Sequence, residues 1–419
     1  MTHAMNSRSP TASSPARAST PPAAARAALR LLERLEHGHL SIELPDGTVR
    51  EFGRGGGLHA SMRWHNWAVC QAALQSGDIG FAETYIAGDW TTPNLTALIE
   101  LMIANRDAIE DAVYGSWLGR LTYRVRHWLN RNSKRNSRKN IHAHYDLGNA
   151  FYQLWLDDTM NYSSAVFERP DQPMREAQQA KVRRALRMAR VRPGDRVLEI
   201  GCGWGALAEM ATTELGASVT GVTLSTEQLA FAQQRMARLG VATDAHTPAA
   251  PWADLRLQDY RDIPDGPFDA ICSIEMIEAV GREYWATYFQ TVADKLKPGG
   301  YACIQSIVIQ DERFERYIQG TDFIQQYIFP GGCLPSPQIF RQAAMNAGLV
   351  VQDEFHFGQD YAHTLRLWHE DFVRQQAEVL KLGFDERFMR IWTFYLAYCE
   401  AAFTQGSTDV VQFTLRKPG

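Results

Sequence analysis

Val197-Leu198-Glu199-Ile200-Gly201-Cys202-Gly203-Trp204-Gly205 is the stretch on which the fold turns. Its first four residues read as a buried strand, its glycines fall in a GxGxG spacing, and helical periodicity resumes over residues 206–215. Glycines there let the backbone approach a ligand at the carboxyl end of the strand, where an open α/β sheet binds its substrates. The spacing differs from the GxGxxG of dinucleotide-binding folds, and alone it also suits a tight strand-to-helix turn with no ligand. Outward from it, residues 218–224, 255–260, 268–274 and 301–309 read as further strands with helical stretches between them. The pattern predicts a doubly wound α/β domain, Rossmann-like with a mostly parallel sheet, preceded by a smaller N-terminal domain and a helical cap.

The chain has 419 residues, 45% of them apolar, enough for more than one domain. Residues 1–25 carry no acid and are rich in Ser, Thr, Pro, Ala and Arg, which predicts a disordered tail. A transit peptide shares that composition, whereas a secretory signal would need an apolar run that is missing. Residues 26–111 predict a small domain: a helix through Leu31, Leu32 and Leu35, a hairpin turning at Pro45-Asp46-Gly47, then two further helices.

Between Asp111 and Asp146 there is no acidic residue, while Arg120, Arg124, Arg126 and Arg131 alternate with Trp117, Leu118, Leu121, Val125 and Trp128. Residues 112–140 therefore suit a helix lying on an anionic membrane surface, or equally an apolar stripe packed on the domain behind a solvated basic face. No nucleic-acid-binding module accompanies the charge, so nucleic acid is not an expected partner. Residues 141–419 form the main domain, with a helical insertion at about 310–345. The six cysteines include no CxxC pair, which points to reduced thiols and to no metal site. The expected location is cytoplasmic, peripheral at the inner membrane surface; self-association into a homodimer stays open.

The second strand ends in Thr223-Leu224-Ser225 rather than in an acidic residue for a nucleotide ribose, and Ser225 with Gln228 reads as a capping box opening the next helix. Gln228 suits a ligand contact as well. Val219 to Gln228, His144-Tyr145-Asp146-Leu147-Gly148-Asn149, Met160 to Ala165, Glu275 to Gly281, Tyr327 to Gly332, Asp360-Tyr361 and Gln412 to Leu415 resemble, in order, the motifs of cyclopropane fatty acid synthases and the related mycolic acid methyltransferases. The resemblance runs from about residue 75 to the end. It implies a class I methyltransferase with S-adenosylmethionine as donor. The cofactor contacts it implies fall on Tyr162, Ser163, Glu199, Gly201, Gly203, Thr223, Leu224, Gln228, Asp259 and Tyr260. An aromatic face such as Tyr162 or Trp204 gains roughly 0.5–2 kcal/mol beside a sulfonium, though either ring also suits core packing.

An alkene is a weak nucleophile, so a carbocation-like centre develops as it takes a methyl group. The pocket must exclude water and place a base beside that methyl. The resemblance implies a bound bicarbonate as base, held by Glu278, Tyr361 and the backbone of Ile307, with Ser164 and Gln305 standing where the family has cysteine and histidine. Glutamine donates hydrogen bonds but takes no proton, and a further family histidine is Ala279 here. Cys399 matches a C-terminal cysteine treated as an active-site candidate, although a lone helical cysteine is commonly a small buried apolar group. The expected function is transfer of a one-carbon unit to the double bond of an unsaturated acyl chain in membrane phospholipid. A cyclopropane is the expected product and a methyl or methylene branch the alternative; a nonenzymatic lipid-binding protein on the same fold is a third reading.

Overall fold

The structure, a computed structural model, describes residues 21–113, 147–243 and 250–419. Most of the expected tail and nearly all of the basic segment lie outside the described residues. The last residues of the expected tail are not disordered. A helix already begins at Ala23 and runs to Leu32, because Ala25 and Leu29 are buried against the N-terminal elements.

Strands β1 (His39–Glu43), β2 (Val49–Phe52), β3 (His59–Trp64) and β4 (Trp90–Thr91) form a sheet in the order β2-β1-β3-β4. The hairpin is as expected. Asp46 accepts from the Thr48 backbone N–H at 3.0 Å and fixes the turn between antiparallel β1 and β2. Strand β3, which pairs parallel to β1, was not read in the sequence.

The main sheet comprises β5 (Arg196–Ile200), β6 (Ser218–Thr223), β7 (Ala253–Leu257), β8 (Phe268–Ile274), β9 (Leu296–Ile309), β10 (Val350–His356) and β11 (Thr408–Arg416). Its order is β10-β11-β9-β8-β5-β6-β7. Strands β5 to β9 run parallel, and β11 pairs antiparallel with both β9 and β10. Both faces of the parallel core are covered, which is why its strands are continuously apolar. Leu198 and Ile271 pack into one cluster with Phe289, while Val197 and Cys272 pack into the other with Leu207. Chain order reverses between β5 and β8, so the ends of these two strands open the crevice in which doubly wound sheets bind ligands. The third expected strand stops at Leu257, short of Tyr260. Asp259 accepts from the Arg261 backbone N–H at 3.0 Å and pairs with its guanidinium at 2.6 Å, turning the chain into a short 3-10 helix over Tyr260–Asp262.

The insertion consists of helices Asp311–Tyr317, Phe323–Tyr327 and Pro337–Asn346. The N-terminal elements do not keep a core of their own. Leu98 and Trp90 belong to the same apolar cluster as Trp392 and Phe394 of helix Glu386–Thr404, and Phe81 stacks on Trp90 with centroids 4.4 Å apart. Truncating fully buried Leu98 to alanine therefore cuts into a core that spans both halves. The expected loss is about 2–5 kcal/mol, with both halves weakened in one cooperative transition on urea denaturation. Separate transitions, with only the N-terminal one shifted, would contradict the shared core.

Candidate active site

At the end of β5 the chain turns through Gly201, Gly203 and Gly205, with φ of 88°, 49° and 83°. A Cβ at Gly203 would meet nothing within 4 Å, whereas one at Gly201 would press on the Met276 side chain at 2.9 Å. The bare backbone at Gly203 thus borders open space, the floor of a cavity of about 1170 Å³. All ten expected cofactor residues line it: Tyr162, Ser163, Glu199, Gly201, Gly203, Thr223, Leu224, Gln228, Asp259 and Tyr260.

The lining fits S-adenosylmethionine. Glu199 is buried and its Oε2 has no hydrogen-bond partner, an orphaned acceptor suited to a ligand ammonium group. Burial pushes that carboxyl well above the usual carboxylate range, against the pull of the Lys181 charge. The Tyr162 ring stands among Tyr152, Trp155 and Trp368 at centroid distances of 5.4, 5.5 and 5.5 Å, an electron-rich wall for a sulfonium. Trp204 lines the cavity too, with its indole N–H given to Asn149 at 2.7 Å. Only half of the expected capping box forms: Ser225 Oγ accepts from the Gln228 backbone N–H at 3.2 Å. The Gln228 Oε1 instead accepts from Thr223 Oγ1 at 3.0 Å, which ties both residues to the cavity wall.

A second cavity of about 1260 Å³ adjoins the first and shares Tyr162, Glu275 and Ala279 with it. Its wall is largely apolar, with Ile307, Phe329, Leu334, Leu365, Tyr395 and Phe403. At the junction lies Glu275, immediately past β8. Its Oε1 accepts from the Ser164 backbone N–H at 2.9 Å and from Gln305 Nε2 at 2.7 Å, and its Oε2 accepts from the Tyr361 hydroxyl at 2.7 Å. The residue sits at φ 48°, a left-handed conformation that costs a non-glycine residue about 1–3 kcal/mol and concentrates at functional sites. Gln305 cannot turn its amide the other way, because its Oε1 accepts from Gln412 Nε2 at 3.0 Å and Gln412 Oε1 accepts from Arg184 at 2.7 Å.

Glu278 lies beside this carboxylate. Its Oε1 accepts from the Ile307 backbone N–H at 2.5 Å, while its buried Oε2 has no partner. Burial, reinforced by the negative charge of Glu275, pushes its pKa up to about 8, so the pair holds a proton on Glu278 at neutral pH. Glu275 is raised by burial as well, but Tyr361, Ser164, Gln305 and Lys181 all pull it back. Lys181 is fully buried, gives hydrogen bonds to Ser163 Oγ at 2.6 Å and Asn161 Oδ1 at 3.1 Å, and is brought down to about 8 by burial.

The expected catalytic residues thus converge, though not as a bicarbonate cradle. Ser164, Gln305 and Tyr361 already spend their donors on Glu275, and Ile307 spends its N–H on Glu278. A bicarbonate would have to displace Glu275 from three of these donors and Glu278 from the fourth, and it would lie beside the Glu275 negative charge, so the residues as arranged do not fit that anion. Cys399 is a wall residue of the second cavity, and burial raises its thiol further from ionisation, which favours the neutral thiol there. Sequence reasoning missed Glu275, Lys181 and the orienting role of Gln412. Glu275 did leave a signal: a second carboxylate, three residues ahead of Glu278, at the end of the same apolar run.

A family model described as mycolic acid cyclopropane synthetase matches residues 132–413. The chain belongs to the mycolic acid cyclopropane synthetase family. Among relatives of this family, the tuberculostearic acid methyltransferase of Mycobacterium tuberculosis is 38% identical over 411 residues, 95% of this chain and 93% of that one. The cyclopropane-fatty-acyl-phospholipid synthase of Escherichia coli strain K12 is 34% identical over 348 residues, 83% of this chain and 85% of that one. A crystal structure of a mycolic acid cyclopropane synthase complexed with SAH and CTAB superposes with a TM-score of 0.61. Sequence identity is 32%, over 67% of this chain and 98% of that one. As a member of the mycolic acid cyclopropane synthetase family, the protein is an S-adenosylmethionine-dependent methyltransferase that transfers a carbon to unsaturated lipid chains.

Two outcomes check the site. Gly203→Ala places a methyl group in the cofactor cavity and should weaken S-adenosylmethionine binding at least about tenfold by calorimetry, with the far-UV spectrum unchanged. For Glu278, the folded pKa of about 8 lies above the ordinary 4.5, so the folded state binds more protons between those values. Its stabilising contribution is complete below pH 4.5 and is lost as pH rises toward about 8. Relative to Glu278→Gln, the wild type should lose up to about 1.4 kcal/mol per pH unit in that window, read from denaturant midpoints. Parallel stability curves would refute the buried, protonated Glu278.

Proposed function

We propose that this enzyme adds a one-carbon unit to the double bond of an unsaturated acyl chain of membrane phospholipid and leaves a methylene or methyl branch. The observation that carries the reading is the pair of adjoining cavities, one polar with an orphaned carboxylate and one apolar, sharing Tyr162 and Glu275. S-adenosylmethionine supplies an electrophilic methyl group on its sulfonium when bound. The protein's share is to orient the donor along Gly201 to Gly205, seat the acyl chain in the second cavity, and keep water from the cationic centre. Tyr162, Tyr395 and Tyr361 line that junction, and the Tyr162 and Tyr395 hydroxyls bond each other at 2.7 Å, so the rings are held in place as the charge develops.

The branch is supported by the relative with which the chain shares 95% of its length, a methyltransferase named for tuberculostearic acid. Ring closure is the second reading, supported by 34% identity to a cyclopropane-fatty-acyl-phospholipid synthase. No described helix is long and apolar enough to cross a membrane, in keeping with an acyl chain drawn from a bilayer by a protein docked on its surface. Purified enzyme given oleoyl phospholipid vesicles and donor labelled with three methyl deuteriums should yield lipid carrying the label at an sp² methylene or a methyl branch, by mass spectrometry and NMR. Strained ring protons instead would select cyclopropanation, and label missing from every lipid would end the acyl-chain reading.

A further inference from the structure

For the branch or the ring, the alkene that has taken a methyl group bears a positive charge, and with water kept from the site that charge is lost when a carbon-bound proton leaves. The group that takes it must reach both the donor cavity and the acyl cavity. Among the described titratable residues only Tyr162 and Glu275 line both, and none of the described histidines lines either. Tyr162 shares its hydroxyl with Tyr395, and Glu278 already holds a proton at neutral pH. Tyr361 and Cys399 are held as neutral O–H and S–H by burial. Glu275 alone is an acceptor-only group facing three donors, Ser164 N–H, Gln305 N–H and Tyr361 O–H, which favours its ionised form.

We infer that Glu275 is the proton acceptor of the reaction, a base fixed to the chain that stands in for a diffusible bicarbonate. The inference rests on the acyl-chain reading above and deepens it. A carbon–hydrogen bond next to the cationic centre breaks; its electron pair forms the new double bond, or closes a ring. The proton moves to a Glu275 carboxylate oxygen and later passes to solvent. Charge balances: the one positive charge that arrives with the sulfonium leaves as that proton. Gln412 and Arg184 act as positioning residues, since the chain Arg184 to Gln412 to Gln305 fixes which end of the Gln305 amide meets Glu275. The left-handed backbone at Glu275 directs its side chain into this cluster at a position glycine would occupy with less strain.

The test uses full-length enzyme, deuterium-labelled S-adenosylmethionine and dioleoyl phosphatidylglycerol vesicles, in buffer stripped of carbon dioxide and then supplemented with bicarbonate. Wild-type turnover should be the same in both. Glu275→Gln should lower kcat about 10²–10⁴-fold while calorimetric affinity for the donor is kept. Glu275→Gly, which removes the side chain and frees its donors, should regain turnover saturably with added formate or bicarbonate, a rescue that a merely structural role would not allow. Wild-type turnover that collapses without bicarbonate overturns the assignment and needs no variant to fold. Unimpaired kcat in Glu275→Gln, or a folded Glu275→Gly that no small anion rescues, also overturns it. Failure of the acyl-chain reading looks different: the wild type itself then labels no lipid under either condition.

Discussion

A carboxylate held by three donors from three distant parts of the chain organises this active site. Glu275 follows β8, Ser164 lies in the segment ahead of helix Met174–Met188, Gln305 is on β9, and Tyr361 is in the first turn of helix Gly358–Arg374. An enclosed carboxylate is tolerable only when its lone pairs are satisfied, so these segments must meet in one arrangement for the anion to persist. The same requirement reaches further out. Gln412 on β11 fixes Gln305, and Arg184 fixes Gln412, so an antiparallel strand at the side of the sheet helps determine a geometry centred on a parallel one.

Topology explains why the two cavities touch where they do. Reversal of strand order between β5 and β8 leaves a crevice at their carboxyl ends. The β5 side supplies glycines and the orphaned Glu199, and the β8 side supplies Glu275 and Glu278. Helices Gly358–Arg374 and Glu386–Thr404 close over the second cavity with Leu365, Tyr395 and Cys399. Because helix Glu386–Thr404 also packs on the N-terminal elements, the wall that faces the acyl chain and the core of the N-terminal half share one helix.

Much of this was legible in the sequence because parallel strands buried on both faces are continuously apolar: β5, β6 and β8 appear within a residue or so of their expected bounds. Strand β10, Val350–His356, mixes Gln, Asp and Glu among apolar residues at the sheet edge, so no period announced it, and β3 pairs across a long connection. The cofactor residues could be placed because they cluster on short motifs. The base could not, since its identity depends on which side chain captures the donors of Ser164, Gln305 and Tyr361, and those donors meet only in three dimensions. Ser164 illustrates the point: the backbone N–H, not the side chain by which the position was compared, makes the contact with Glu275, while its hydroxyl turns to the Ala165 carbonyl at 3.0 Å.

A base carried by the chain and a base borrowed from solution differ thermodynamically. A diffusible anion must be bound at each turnover, surrenders translational freedom on entry, and occupies its site only as its concentration allows. A tethered carboxylate is always present and has a fixed direction toward the reacting carbon. Its costs are structural: a backbone angle of 48° at a non-glycine residue, and a second carboxyl group nearby that must stay protonated. Glu278 meets that second demand by keeping its proton up to about pH 8, which limits the cluster to one negative charge. Lys181, buried behind Ser163, adds a positive charge that favours the ionised Glu275 while spending its hydrogen bonds on Ser163 and Asn161. The ammonium thus supports the base through space without neutralising it by contact, and the carboxylate keeps the lone pair with which it can accept a proton.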